Sequence, residues 1–164
     1  MKKFFSTKES LFSISCNNSG DIFAVGENSS IYHYNNGWTK INVNQDYRFK
    51  KVLSIGNDIW ILGESSTSSD STSPNGVLLK SQNNGQTWEN KTPKLAKTLN
   101  DLYLKNGEGW LIGDEGNIFY SSDDGESWIK SESPTNNNLY CIFFLDSKNG
   151  WISGDKATIL KYQN

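Results

Sequence analysis

The chain is poor in the residues that most often carry catalysis or bind metals. Its 164 residues include a single histidine, His33, a single arginine, Arg48, and only two cysteines. Nucleophilic triads usually need a histidine base, and zinc sites need a cluster of Cys and His ligands. A lone strand histidine is more often a packing residue. We therefore predict no enzyme, no metal site and no cofactor, although a carboxylate pair suited to glycoside hydrolysis stays open because no pattern selects one.

Long apolar runs and excess basic charge are missing as well. No apolar stretch approaches the length of a membrane span, and Ser6, Lys8 and Glu9 interrupt the region where a signal peptide needs a continuous apolar core. The formal net charge is −2, without the basic stripe that nucleic acid requires. These absences predict a cytoplasmic protein that has neither a membrane nor a nucleic acid as its partner.

One motif, Trp/Phe-x-x-Gly-Asp/Glu, occurs four times along the chain. Its copies are Phe23-Gly26-Glu27, Trp60-Gly63-Glu64, Trp110-Gly113-Asp114 and Trp151-Gly154-Asp155. An apolar pair spaced by three residues precedes each copy, and an apolar run follows it, after an insertion in the second copy. Recurrence at a few tens of residues indicates an array of similar supersecondary units.

Each unit reads as four short strands joined by turns. In the third copy the predicted strands are Leu99–Leu104, Gly109–Ile112, Asn117–Ser121 and Ser127–Glu132. Aromatic and β-branched residues fill the strands, and Asn/Asp/Gly clusters separate them. Four-stranded repeats of this length are typical of propeller blades. We predict one all-β domain over residues 1–164, a small four-bladed β-propeller with repeats at about 11–43, 49–93, 99–133 and 139–164 plus 1–8.

The two ends of the chain suggest how the ring closes. Eleven residues separate the outer-strand tryptophan from the next repeat in each measurable case, at Trp38–Phe49, Trp88–Leu99 and Trp128–Leu139. Counting back eleven residues from Leu11 places residues 2–7 in the register of an outer strand. The fourth copy ends before an outer strand of its own. We expect the N-terminal strand to complete the last blade within a monomer. The same join between two chains would give an eight-bladed dimer. Cys16 and Cys141, on innermost strands, are expected to be buried free thiols.

Two hairpins carry a further signature. Ser121 to Trp128 fits Ser-x-Asp-x-Gly-x-Ser/Thr-Trp, and Ser81 to Trp88 fits it with Asn83 in place of the aspartate. These segments resemble the Asp-box (bacterial neuraminidase, BNR) repeat, and residues 109–128 resemble blades of the photosystem II assembly-factor family. The resemblance implies a β-propeller and, by function, an assembly factor or scaffold. Sialidases with such repeats hold their substrate carboxylate with three arginines, so a chain with one arginine is not a sialidase.

Two features remain as candidates for a binding surface. Residues 65–74 form a Ser/Thr-rich insertion in the second copy, and an acidic residue follows every motif glycine. Equivalent positions of a propeller lie on one rim, where like charges can steer a basic partner, although each carboxylate can equally cap its own turn. The predicted partner-binding residues are Glu27, Glu64, Asp70, Asp114, Glu115 and Asp155.

A short domain without a catalytic set and with an acidic rim favours a protein-binding module. Its most concrete form is an inhibitor, or immunity protein, that blocks a basic bacterial toxin such as a nuclease. The alternatives are an assembly-factor or chaperone-like scaffold, as the family resemblance implies, and a carbohydrate-binding lectin. A lectin would need exposed tryptophans, whereas the repeated tryptophans here are expected in the blade cores.

Overall fold

Four antiparallel sheets follow one another along the chain. The computed structural model describes residues 5–66 and 74–163, and the regular elements in these ranges are β-strands apart from a short 3-10 turn at Asp114–Gly116. Each sheet is a meander of strands consecutive in sequence, three of them four-stranded and the last three-stranded. The all-β fold and the four propeller blades predicted from the repeats are confirmed.

The strands keep to the four repeats. Blade 1 contains β1 (Leu11–Cys16), β2 (Ile22–Gly26), β3 (Ile31–Tyr34) and β4 (Trp38–Ile41). Blade 2 contains β5 (Tyr47–Ile55), β6 (Asp58–Ser65), β7 (Gly76–Ser81) and β8 (Glu89–Asn90). Blade 3 contains β9 (Leu99–Lys105), β10 (Glu108–Gly113), β11 (Ile118–Ser121) and β12 (Ile129–Ser131). Blade 4 contains β13 (Leu139–Asp146), β14 (Asn149–Gly154) and β15 (Thr158–Gln163).

Three apolar cores lie between successive blades. The first joins Phe23, Val25 and Ile31 of blade 1 to the innermost and middle strands of blade 2. The second joins Trp60, Leu62 and Leu78 to blade 3, and the third joins Ile112 and Ile118 to blade 4. Each sheet of the two middle blades therefore packs on both faces. This is why β6 and β7 are apolar almost throughout instead of alternating with polar residues.

The N-terminal segment is placed differently from the prediction over the residues that the structure describes. The Phe5 ring stacks on Trp38 and meets Tyr32 edge-on, with ring centroids 5.3 and 5.1 Å apart. Glu9 accepts a hydrogen bond from Lys40 Nζ at 2.9 Å. These contacts hold residues 5–9 against blade 1, because the rings of Tyr32 and Trp38 give Phe5 an aromatic surface to pack on. Residues 1–4 lie outside the described ranges, and the sheet of blade 4 has three described strands.

The two cysteines differ from expectation in their exposure. Cys16 on β1 and Cys141 on β13 are both free thiols, as predicted, but both are exposed instead of buried. They lie on the first and the last of the described blades, and one face of each of these blades has no neighbouring blade among the described residues. Within residues 5–66 and 74–163, no helix is long and apolar enough to cross a membrane, and no three His, Cys, Asp or Glu side chains group as metal ligands.

Candidate partner-binding surface

The motif glycine brings the backbone of each innermost strand against the end of the second strand. A Cβ atom on Gly26, Gly63, Gly113 or Gly154 would lie 1.8, 2.1, 2.2 or 2.2 Å from a backbone carbonyl oxygen near the start of the innermost strand. These oxygens belong to Ser10, Arg48, Thr98 and Asn138, respectively. Because no side chain fits at that distance, only glycine is accommodated. The acidic residue that follows the glycine is thereby fixed at the same place in all four blades. We call Glu27, Glu64, Asp114, Glu115 and Asp155 the acidic rim.

Backbone hydrogen bonds hold three of these acidic residues in place. The amides of Glu27, Asp114 and Asp155 donate to the carbonyls of Ser10, Thr98 and Asn138 at 3.0, 2.9 and 2.9 Å. Glu64 instead pairs with Arg48 in the ladder between β5 and β6. Since β2–β3 loops and their equivalents lie at one end of every meander, the rim lies at the end opposite the Asp-box hairpins.

Arg48 compensates part of the charge of the rim. Its guanidinium lies 3.9 Å from Glu27 Oε1 and 3.5 Å from Glu64 Oε1, and so bridges blades 1 and 2. Glu64 also accepts a hydrogen bond from Thr98 Oγ1 of blade 3 at 2.7 Å. This carboxylate therefore joins neighbouring blades, and its side chain is only 22% exposed.

The remaining carboxylates of the rim show the same mixture of structural contact and exposure. Asn100 donates to Asp114 Oδ1 at 2.7 Å and to the carbonyl of Leu139 in blade 4 at 2.8 Å. A hydrogen bond between Tyr140 and Asp155 raises the pKa of the tyrosine hydroxyl. Glu115 is 60% exposed and lies 3.6 Å from Lys97 Nζ. The rim is therefore a mixed polar surface, whose field is weaker than that of a bare ring of carboxylates.

Five of the six predicted binding residues thus lie on one rim. Glu27 and Glu64 share Arg48, whereas Asp114, Glu115 and Asp155 are held by separate partners. Asp70 and most of the Ser/Thr-rich insertion lie outside the described residues. The role of Arg48 was not predicted, because its two carboxylate partners come together only once β2, β5 and β6 are assembled.

The single histidine is engaged inside blade 1. His33 Nε2 lies 2.7 Å from Asp21 Oδ1, and its ring stacks on Phe23 at a centroid distance of 4.5 Å. Asn35 Nδ2 donates to the same Asp21 oxygen at 2.9 Å. The hydrogen bond from His33 lowers the pKa of Asp21. This arrangement ties β2 to β3 and agrees with the predicted packing role of His33.

An aromatic cavity that the sequence did not predict lies beside β15. Trp110, Phe144 and Tyr162 line a cavity of ≈ 220 Å³, together with Pro134. The Trp110 ring lies 4.9 Å from that of Tyr162. Blades 1–3 carry an outer strand next to their third strand, but blade 4 has none among its described residues.

Comparison with known protein families confirms the resemblance that the repeats indicated. Residues 93–163 match the family described as photosynthesis system II assembly factor YCF48. The photosystem II assembly lipoprotein Ycf48 of Trichormus variabilis is 29% identical over 155 residues, covering 88% of this chain and 43% of the relative. The Ycf48 lipoprotein of a Picosynechococcus strain is 30% identical over 136 residues, covering 76% and 37%. The chain thus spans less than half of each of these relatives.

Solved structures share the fold. YCF48 bound to a D1 peptide superposes with a TM-score of 0.73 at 21% identity, over 95% of this chain and 51% of that one. The computationally designed Ika4 protein gives a TM-score of 0.67 at 6% identity, over 98% and 95% of the two chains. At these identities the likeness establishes the propeller fold alone.

Two predictions are contradicted by these relatives. The interpretation as a toxin inhibitor or immunity protein is wrong, because the matched family and both sequence relatives are photosystem II assembly factors. The expectation of a cytoplasmic protein is contradicted too, since both relatives are lipoproteins. Both predictions relied on absences from the sequence, and an acidic rim with no catalytic set is shared by many binding modules.

Proposed function

We propose that this chain is a non-enzymatic, protein-binding propeller that assists the assembly of a membrane-protein complex. The observation that carries the proposal is the 29% identity with a photosystem II assembly factor, which extends over 88% of this chain. The client would be a segment of a subunit, by analogy with YCF48 bound to a D1 peptide.

The acidic rim, together with Asp70, is the proposed contact surface. Glu115 and Glu27 supply its accessible charge, with side chains 60% and 39% exposed. Glu64 and Asp114 accept hydrogen bonds from Thr98 and Asn100, and so hold the loops in place. An exposed carboxylate next to a fixed loop suits a client segment that carries Lys or Arg side chains, because such charge pairs favour orientation and rapid association.

The experiment is a titration of the chain with fluorescent synthetic peptides that tile the D1 sequence, followed by fluorescence anisotropy. We expect saturable binding of one peptide region, weakened by added salt. The double variant Glu27→Lys and Glu115→Lys should bind about three- to tenfold more weakly, the range expected when two exposed ion pairs are lost.

The control is Glu89→Lys, which reverses an exposed charge beside the hairpin at the opposite end of blade 2. It should leave the affinity unchanged. Absence of binding to every D1 peptide would overturn the proposed client. Equal weakening by the rim variant and by Glu89→Lys would retain the client but overturn the rim as its contact surface.

A further inference from the structure

The two terminal blades each leave one face uncovered, and blade 1 shows this on its innermost strand. One position of the innermost strand, three residues after Leu11, Phe49, Leu99 and Leu139, is apolar in all four repeats. It is 2% exposed at Val52, 4% at Leu102 and 8% at Ile142, because the preceding blade covers it. The equivalent residue in blade 1, Ile14, is 64% exposed. Among the described residues, no blade precedes blade 1 to cover it.

In blade 4 the opposite face is the uncovered one. The apolar residue of the third strand that pairs with the residue before the motif glycine is covered by the following blade at Ile31, Leu78 and Ile118, which are 0%, 0% and 6% exposed. Its equivalent in blade 4, Ile159, is 74% exposed. Phe143 and Leu145 share this situation at 60% and 67% exposure, whereas their equivalents in blade 2 pack partly buried against the second core.

The interfaces between blades inside the chain show how these two faces fit together. In the first core Val52 packs with Ile31, and in the third core Ile142 packs with Ile118. A polar side chain, two residues after the first residue of the innermost strand, also accepts a hydrogen bond from a backbone amide of the next blade. Ser13 Oγ accepts from the amide of Val52 at 3.2 Å, and Asp101 Oδ2 accepts from the amide of Ile142 at 3.1 Å.

By these equivalences, blade 4 presents the surface that blade 1 lacks. Ile159 is the counterpart of Ile31, Ile14 is the counterpart of Val52, and Cys141 stands at the position of Ser13. The described N-terminal residues do not fill the gap. Phe5 covers Tyr32 and Trp38 at the outer side of blade 1 and leaves Ile14 exposed.

We propose that a second copy of this chain occupies both faces, head to tail, to form a closed eight-bladed ring. Blade 4 of each copy packs on blade 1 of the other, so one two-fold axis relates two equal interfaces. Two copies of the four described blades give eight, which lies within the usual four to eight of propellers, whereas three copies would exceed it. Closure also removes the large exposed apolar side chains of both faces from water.

The first test is the molar mass of the chain in solution by size-exclusion chromatography with light scattering. We expect twice the chain mass of 18.5 kDa, that is 37 kDa. The single variants Ile14→Lys and Ile159→Glu should each be monomeric, with an unchanged far-UV circular dichroism spectrum. Ile129→Lys is the matched control, because Ile129 is 70% exposed but lies on the outer strand of blade 3. It should remain dimeric.

Mixing the two variants tests the head-to-tail geometry. In a mixed dimer one interface is wild type, and in the other the introduced lysine of one copy faces the introduced glutamate of its partner. Equimolar Ile14→Lys and Ile159→Glu should therefore recover dimers. An interface that uses the same face on both copies would give no such recovery. A monomeric wild-type chain, a ladder of larger species, or a dimer that survives both substitutions would each overturn the ring.

A cross-link gives a readout that does not depend on the folding of variants. Cys141 corresponds to Ser13, and Cys16 corresponds to Ser54, whose amide donates to Ser15 Oγ at 3.0 Å. Across the proposed interface the two thiols are thus offset by about two strand residues, roughly 7 Å. A short bismaleimide should link the chain into dimers, and Cys16→Ser should abolish the product. Unlinked chains at a concentration where light scattering shows dimers would contradict this geometry.

Discussion

The Asp-box hairpins of blades 2 and 3 have the same geometry with different chemistry at the key position. In both, a buried serine accepts from the amide of the glycine four residues later, at 2.8 Å for Ser81 and 2.9 Å for Ser121. Asn83 and Asp123 each accept, through Oδ1, from an amide four residues on, at 2.9 Å in both cases. The hairpin therefore requires an acceptor oxygen at this position, and it does not require a charge.

The second atom of that side chain shows what the change of residue alters. Asn83 Nδ2 donates to Thr87 Oγ1 at 2.8 Å, whereas Asp123 Oδ2 accepts from Ser127 Oγ at 2.5 Å. The hydroxyl reverses its role and the hairpin is unchanged. What differs beyond the hairpin is the surface of the preceding blade that each glycine meets, and this difference leads to the largest expected effect.

Replacing the hairpin glycines by alanine should give the largest difference in stability between blades 2 and 3. Both have positive φ, +79° at Gly85 and +80° at Gly125. A Cβ at Gly125 would lie 2.8 Å from the buried ring of Trp60, while at Gly85 it would meet the flexible end of the Ile41 side chain. We expect Gly125→Ala to lower the free energy of unfolding by about 2–4 kcal/mol and Gly85→Ala by about 1–2 kcal/mol, measured by urea denaturation. Equal losses in the free energy of unfolding would show that the Trp60 ring moves aside for the added methyl group at no extra cost.

The buried serines should respond alike. Ser81 and Ser121 are 1% and 2% exposed, and alanine at either position leaves a buried glycine amide without its acceptor. We expect each of Ser81→Ala and Ser121→Ala to cost about 1–3 kcal/mol in the same urea experiment, because that is the usual cost of an unsatisfied buried donor. A much larger loss in one blade would mean that the two hairpins are not energetically equivalent.

The extent to which the sequence predicted this structure differs between local and long-range features. The turn residues, the motif glycine and the aromatic and β-branched runs are local, so the strands of blade 3 were predicted within two residues at each end. The observed outer strand starts at Ile129 because Ser127 belongs to the hairpin. By contrast, the position of residues 5–9 depends on Phe5 finding Tyr32 and Trp38, which only the assembled blade 1 places side by side.

The candidate surface shows the same division. Four acidic residues on one rim followed from the repeat, since equivalent residues of a propeller occupy equivalent places. The bridge made by Arg48 to Glu27 and Glu64 was not predictable, because it joins residues 21 and 16 positions apart across two blades. Partner identity was also beyond the reach of residue chemistry, since one fold hosts many functions.

Exchanging the carboxylate of Asp123 and the amide of Asn83 should have the smallest effect at neutral pH, and it is the sharpest test of the comparison between the two hairpins. Asp123→Asn should hardly change stability near neutral pH, because Asn83 already shows that an amide makes the same hairpin bonds. The pH dependence should change. Hydrogen bonds from Ser127, Ser121 and the backbone lower the pKa of Asp123 from 3.8 to about 2. A lowered folded-state pKa contributes stability that is complete above about pH 4 and is lost as the pH falls through 2.

Wild-type protein should therefore lose stability between pH 4 and pH 2 more steeply than Asp123→Asn, and urea midpoints across that range measure the difference. Asn83→Asp is the reciprocal variant, and it should make the loss steeper than in wild type, provided that Thr87 donates its hydroxyl as Ser127 does. Parallel pH profiles for all three proteins would show that the carboxylate keeps its ordinary pKa in the hairpin. The two boxes would then differ only in the surface that their glycines meet.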